Sequence, residues 1–543
     1  MAVGSFCIVL HGHMPYVLYH GSWPNGEDWL YEAAAETYLP ILSVIDKCAG
    51  LNCNPKLTIG LTPVLLEQLS HNHFKEGFRA YLGDNLERAK SDRRQFEQAK
   101  QGHMAYLAGR WEDFYSKLSE QFSDIDCNIP AAFEKRFRQG QVELLTSAAT
   151  HGYMPLLLED SSIHAQVRAG LHTSQRILGI KPTGMWLPEG AYRPAGNWTP
   201  PIAWGNSGSR AGIERLVGQE GITHFFVDSH LISNGNGETS IHEPILVKDG
   251  LNGDSPVTAF ARDAEICQHV WCKFVGYPAN AVYLEFHKRH GERRGLRYWK
   301  ITDRKSDLGS KDPYYPDDVE GKMHEHAQHF CGQVKRRLWD YHSRTGKNGV
   351  VVACFDTELF GHWWFEGPRF LENVLLTLNA DPDVDLCTSQ EYLQSHGAVR
   401  REALSAGSWG EGGDHRVWST NEIKWLWEME YRCETLFGKL TFNLPWRTQP
   451  ELRKILEKAG RELLLLQASD WAFVISRRQA PEYGTKRFVQ HVARFDTLTD
   501  IAERLAEDPQ YLHKLNDVQK LELKDIDAHD VIFPEIDLNW WNC

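Results

Sequence analysis

Eight short apolar runs, separated by stretches of helical pattern, constrain this chain more than any other feature. They are Ser5–Leu10, Leu57–Thr62, Val142–Thr146, Thr183–Leu187, Thr223–Val227, Val257–Ala261, Val350–Phe355 and Val384–Thr388. Their length and lack of strict alternation suit strands buried on both faces of a parallel sheet. Helical patterns such as Asp28–Ala49 and Ala165–Ile177 lie between them. Strand then helix, repeated about seven or eight times, predicts an α/β fold closed into a β/α barrel. An open doubly wound sheet is the competing layout, but no GxGxxG or phosphate-binding loop comes after any run.

The residues just beyond each run carry the functional signal. The strand ends lead into His11 and His13, Thr62-Pro63, Thr146 with His151, Trp186 with Glu189, Asp228 with His230, Arg262 with Asp263, and Asp356 with Glu358 and His362. In a barrel these ends converge on one mouth, where active sites are built. Two long connections interrupt the pattern. Gly190–Gly221 reads as a small insertion after Glu189, and Gly276–Gly321, charged and aromatic, reads as flaps over the mouth. Beyond Gly413, Asn421–Leu440, Pro450–Trp471 and Thr485–Glu507 have helical spacing without strands. The expected division is therefore a barrel over residues 1–400 and a helical domain over 401–543 that contributes to the site.

Composition removes several function classes. Lys+Arg total 59 against 72 Asp+Glu, a net charge of −13 that suits neither nucleic acid nor an anionic membrane surface. No apolar stretch approaches the roughly 18 residues of a membrane span. The start, MAVGSFCIVLHGH, lacks the basic segment and long apolar run of a signal peptide, and the 11 cysteines are scattered with no CxxC pair. Reduced thiols in a cytoplasmic protein are the expectation, with Asn197-Trp198-Thr199 a chance sequon. Of the 19 Trp, many belong in the core. Others stand beside Gly, Pro, Asp and His in loop-like stretches, where flat rings serve to stack on sugar faces.

Glycosidic cleavage needs two carboxyl groups flanking the bond, held at different pKa values by their surroundings. The best pair lies in Gly184-Met-Trp-Leu-Pro-Glu-Gly-Ala-Tyr192 and Cys354-Phe-Asp-Thr-Glu-Leu-Phe-Gly-His-Trp-Trp364. An acid after a strand is often only a helix cap. Pro188-Glu189-Gly190 opens no apolar helix, however, and Asp356 stands among aromatics. By composition alone Glu358 remains an alternative to Asp356.

The same segments resemble the short motifs of glycoside hydrolase family 57. His11-Gly-His-Met-Pro15 is similar to the first, Glu143-Leu-Leu-Thr-Ser-Ala-Ala-Thr-His-Gly-Tyr153 to the second, and Trp186-Leu-Pro-Glu189 to the third. Phe355-Asp-Thr-Glu-Leu-Phe-Gly-His-Trp-Trp364 is similar to the fourth, and the segment from Ser408-Trp409 to Trp418 occupies the place of the fifth. The resemblance runs into the helical region at Ala468-Ser-Asp-Trp471. It implies an incomplete barrel of about seven strands, with a small inserted domain and a helical C-terminal domain. It also implies Glu189 as nucleophile, Asp356 as general acid/base, and no metal or organic cofactor. Trp29, Trp271, Trp409 and Trp418 match positions that line a glucan groove in the family. His11, His13 and His151 are expected to meet sugar hydroxyls, His362 and Arg262 to orient the carboxylates or bind substrate, and Trp186 and Asp470 to complete the binding set.

Within the family the wording is closest to members that branch α-1,4-glucan, through HxHxPY, ATHGY and the segment from Val270-Trp271 to Val275-Gly-Tyr-Pro278. An α-1,4-glucan is then the expected donor and acceptor, for a monomer or weak dimer. A 4-α-glucanotransferase or α-amylase is the alternative inside the family. Outside it stand a metal-dependent deacetylase or mannosidase built on His11-x-His13, and a non-catalytic glucan-binding module.

Overall fold

The computed structural model describes residues 2–542, apart from 205–207, 233–240, 251–252, 273, 292–293, 304 and 399. Parts of the expected insertion and flaps thus lie outside the described residues. Twelve strands are described: β1 Gly4–Gly12, β2 Leu57–Leu61, β3 Val142–Leu145, β4 Gly184–Met185, β5 Gly196–Trp198, β6 Gly208–Arg210, β7 His224–Asp228, β8 Ile245–Asp249, β9 Gly253–Arg262, β10 Gly349–Asp356, β11 Val384–Leu386 and β12 Arg400–Glu402. All eight anticipated runs are strands. The hairpin β5–β6 and the short strands β8 and β12 carry no comparable apolar signal.

Seven parallel strands close the ring. One sheet runs β10–β1–β2–β3, and the other contains β4–β7–β9. They join where the Trp186 N–H donates to the Thr146 carbonyl at 2.9 Å and where the Asp263 N–H donates to the Val352 carbonyl at 2.8 Å. β8 runs antiparallel to β9, and the carbonyl of His242, just before it, accepts from the Val350 N–H at 2.9 Å, bridging the second seam. β11 pairs only with Gly4–Phe6 of β1, and β2 takes over that edge from Val9. The eighth position is filled only at the base. That is the physical content of an incomplete barrel.

Period two along each strand sorts the side chains. Cys7, Val9, Leu145, Trp186, Phe226, Phe260, Val350, Val352 and Cys354 fill the interior, while Phe6, Ile8, Leu10, Ile59, Val351, Ala353 and Phe355 pack outward on helices. Continuing the inward phase to the C-terminal ends brings His11, Asp228, Arg262 and Asp356 to the mouth. At the opposite end, Glu143 accepts from Ser389 (2.6 Å), Thr58 (3.0 Å) and the Gln390 N–H (3.1 Å), and lies 3.1 Å from His224 Nε2. Burial alone would raise this carboxyl, but His224 and the hydroxyl and amide donors hold it below its ordinary value. The acid of the second motif thus seals the barrel floor, far from the catalytic mouth.

Two long helices, Asn72–Gln98 and Gly102–Asp124, pack together between β2 and β3. After the barrel come helices Lys424–Asn443, Pro450–Leu466, Ser469–Ser476, Pro481–Glu507 and Asp517–His529. The run expected as one helix from Pro450 to Trp471 breaks at Gln467–Ala468. There Ala468 is extended (φ −58°, ψ 129°) and bridges Gly152, and the Ser469 N–H donates to the His151 carbonyl at 3.2 Å. The break trades helical hydrogen bonds for barrel contacts and delivers Ser469 and Asp470 to the mouth. Arg487, 1% exposed, ties the same region down by donating to the Tyr16 carbonyl at 2.6 Å. An unpaired charge at that depth would cost several kcal/mol.

Candidate active site

The barrel mouth opens into a cleft of about 790 Å³. Nine of the thirteen residues singled out in the sequence line it: Glu189, Asp356, His11, His13, Trp29, His151, His362, Trp409 and Asp470. β4 ends at Met185, three residues before Pro188, and Glu189 adopts left-handed backbone (φ 59°, ψ 21°). That conformation costs a non-glycine residue about 1–2 kcal/mol and turns the carboxylate back into the mouth. Two contacts fix the turn: the Gly190 N–H on the Leu187 carbonyl (2.8 Å) and the Trp409 N–H on the Glu189 carbonyl (3.1 Å).

The two acids sit in different electrostatic settings. Glu189 accepts from the Trp409 indole N–H at 2.9 Å and from the Ser469 hydroxyl at 3.3 Å. Burial still pushes it up to about 7, against the pull of Trp409 and His13. Asp356 ends β10 with no hydrogen-bond donor on its carboxylate among the described residues. Burial, then Glu358, then Glu189 raise it well above its ordinary value, and Arg262 offsets little of this. Of the pair, only Glu189 has hydrogen-bond donors among the described residues that favour its charged form, whereas Asp356 faces two other carboxylates that favour its protonated form. Glu358 is otherwise engaged, accepting from the Tyr38 hydroxyl and from the His13 N–H (3.2 Å).

The histidines form a stack behind Glu189. His13 and His151 have ring centroids 4.1 Å apart, and His11 lies 5.0 Å from His151 and 4.9 Å from Trp186. His13 Nε2 lies 3.0 Å from an Asp470 oxygen, and its Nδ1 is 3.1 Å from the Thr62 hydroxyl. Burial would lower His13, but Asp470 more than offsets this and raises it. Burial lowers both His11 and His151 well below the ordinary range, and the charge on His13 lowers them further.

Four anticipated residues stand behind the lining. Trp186, 2% exposed, forms the floor under His11 and Trp409. Arg262 is paired with Asp228 and lies over the Trp409 ring at 5.6 Å. Trp271 packs edge-on against Trp409 (5.6 Å) and donates to the Cys354 carbonyl at 3.2 Å. Trp418, expected along the groove, is 1% exposed and stacks on Tyr153 at 4.6 Å, so the structure places it in the core. His362 faces Glu32 and Glu36, each at 3.7 Å, and packs on Phe286 and Trp363; its expected contact with the catalytic carboxylates is absent among the described ones.

Sequence reasoning missed the arginines. Asp28, Glu32 and Glu36, spaced by four along one helix face, pair with Arg294 (2.5 and 2.6 Å), Arg289 (3.1 Å) and Arg297 (2.6 Å). This ladder pins the anticipated flap against the cleft wall. The i, i+4, i+8 acidic spacing was visible in the sequence; the partner arginines obey no period. One buried group, Glu462, His491 and Asp530, has the donor types for a metal ion, but it lies in the helical region. Arg487 donates to His491 at 2.8 Å, and Arg494 pairs with Asp530. Arg487 and Arg494 thus already supply the positive charge that these groups face.

The glycosyl hydrolase family 57 model matches residues 7–405, and a model for the C-terminal region of 1,4-alpha-glucan branching enzymes matches residues 431–541. The chain belongs to glycosyl hydrolase family 57. It is 36% identical to a 1,4-alpha-glucan branching enzyme of Thermococcus kodakarensis over 533 residues, covering 96% of this chain and 77% of that protein. The crystal structure of a branching enzyme of this family from Pyrococcus horikoshii superposes with a TM-score of 0.90 at 37% identity, covering 99% of this chain and 97% of that one. An α-amylase from Thermotoga maritima superposes with a TM-score of 0.82 at 28% identity, with 99% of both chains covered. Both superpositions cover 99% of this chain, so they run from the barrel through the helical C-terminal part.

Proposed function

We propose that this family-57 enzyme cleaves α-1,4-glucan and transfers the released segment to a 6-hydroxyl, making α-1,6 branches. The observation that carries this reading is the likeness to branching enzymes over nearly the whole chain. It extends through the C-terminal 431–541 match and exceeds the identity to the amylase.

In the mechanism, Glu189 attacks the anomeric carbon while Asp356 protonates the departing 4-oxygen. The bond from the sugar to its leaving chain breaks as the ester to Glu189 forms. Asp356, now ionised, takes the proton of an incoming 6-hydroxyl, which displaces Glu189 with net retention. The two donors on Glu189 and the carboxylates facing Asp356 support these roles, since the nucleophile must be charged while the acid is not. Transfer outruns hydrolysis only if water is held off the ester, and the arginine-pinned wall with Phe286 and Trp409 supplies that cover. No described helix is long and apolar enough to cross a membrane, and the buried free cysteines fit a reducing cytoplasm. Incubation with amylose, enzymatic debranching and chain profiling test the reading. New short chains released only after debranching support it; unchanged linear chains or reducing sugar alone sink it.

A further inference from the structure

The three histidines of the mouth offer few ring nitrogens to a sugar. His13 uses both, on Thr62 and Asp470. His151 uses both, with Nδ1 on Ser469 Oγ at 2.9 Å and Nε2 on His11 Nε2 at 3.0 Å. His11 Nδ1 is buried without a partner. One set of hydrogen-bond directions satisfies these contacts together. Ser469 has one proton and gives it to Glu189 Oε1 at 3.3 Å, so it accepts from His151 Nδ1–H. A neutral His151 is then bare at Nε2 and accepts from His11 Nε2–H. That leaves His11 bare at Nδ1, the atom that has no donor near it. One consistent assignment serves the whole chain, and both rings are neutral in it.

We propose that Ser469 is a positioning residue that sets the charge of Glu189, with His151 and His11 as a directional chain that keeps its hydroxyl pointed at the carboxylate. The proposal rests on the reading of Glu189 as nucleophile. Its consequence is that the helical region completes the nucleophile: Ser469 enters the mouth only because the helix breaks at Ala468, and the Gly152–Ala468 bridge aligns it with His151. His151 itself holds left-handed backbone (φ 60°), a conformation paid for by that alignment. Trp409 holds Oε2 and Ser469 holds Oε1, so both carboxylate oxygens have a fixed donor before substrate arrives.

The test uses the full-length chain and amylose cleavage. Ser469→Ala removes the donor, leaves the cleft open and keeps Trp409 in place. The expected result is a fall in kcat of about ten-fold with KM within about two-fold, and an acidic limb of kcat/KM displaced upward by about one pH unit. Ser469→Thr, which keeps a hydroxyl, restores the limb. Ser469→Cys, similar in shape but a weak donor, reads the same displacement if the alanine chain does not fold. A limb and kcat like the unmodified chain's in the alanine or cysteine variant overturn the proposal. An unmodified chain that makes no α-1,6 linkage sinks the branching reading instead, while its cleavage limb still reports on Ser469.

Discussion

Replacing Glu189 with Gln should abolish transfer and, at the same time, stabilise the fold in a pH-dependent way. Burial raises this carboxyl from 4.5 to about 7. The unfolded chain therefore ionises more readily than the folded one, and native stability is lost as pH rises from the unfolded value through the folded one. The loss amounts to about 2 kcal/mol at pH 6 and levels off near about 3 kcal/mol at pH 8, at 1.36 kcal/mol per pH unit. The side chain is 16% exposed to the cleft, so screening trims little of this. A glutamine amide keeps one acceptor for Trp409 or Ser469 but not both, which costs about 1 kcal/mol. The net gain is about 1 kcal/mol at pH 6 and about 2 kcal/mol at pH 8. With an unfolding entropy of about 2.1 cal/mol/K per residue, it corresponds to about 1 °C and about 2 °C in melting temperature. Thermal melts of both chains at the two pH values, beside amylose turnover, provide the assay. A lower melting temperature for Glu189→Gln, or a gain that shrinks with rising pH, would refute the burial argument, and appreciable turnover would refute the nucleophile.

Three other perturbations probe the same geometry. Trp409→Phe keeps the ring against Trp186 but loses the N–H on Glu189, so the acidic limb of kcat/KM should move from near pH 7 upward by about one unit; an unmoved limb would show that this bond does not set the charge. Trp418→Ala should cost about 3–5 kcal/mol of stability and leave KM for amylose unchanged wherever the variant is folded, and weakened binding at full stability would return Trp418 to the groove. Asp28→Asn frees Arg294 and loosens the wall over the cleft, so reducing ends formed per new α-1,6 linkage should rise; an unchanged ratio would remove that wall from the defence against water.

The sequence disclosed whatever obeyed a period or a short motif. Eight apolar runs became strands, and their inward phase carried His11, Arg262 and Asp356 to one mouth beside Glu189. Trp418 shows where that reading ended. Its place in the fifth motif, just after Gly412-Gly413-Asp414, reads as a loop, and only the packing of Tyr153 and Phe473 against it reveals a buried ring. The arginine ladder was half legible, since a helix shows its acids at every fourth residue while an irregular segment supplies partners by tertiary placement alone.

The break at Ala468 was the least legible feature, because Pro450–Trp471 reads as one helical run in which only Ser469-Asp470 disfavours continuing it. Continuing it would leave the Gly152 bridge unmade, the His151 carbonyl without the Ser469 N–H, and Glu189 Oε1 without the Ser469 hydroxyl. A helix gives up a turn there because the catalytic mouth gains two contacts: the Gly152 bridge, made by the Ser469 N–H on the His151 carbonyl, and the Ser469 hydroxyl on Glu189. The same logic explains why left-handed backbone falls on Glu189 and His151 together. The strain of each is held by contacts with a segment distant in sequence, Trp409 for one and Ser469 for the other. Local rules fail where distant chain segments must meet to fix one carboxylate, so such conflicts in a barrel-end motif point toward the chemistry.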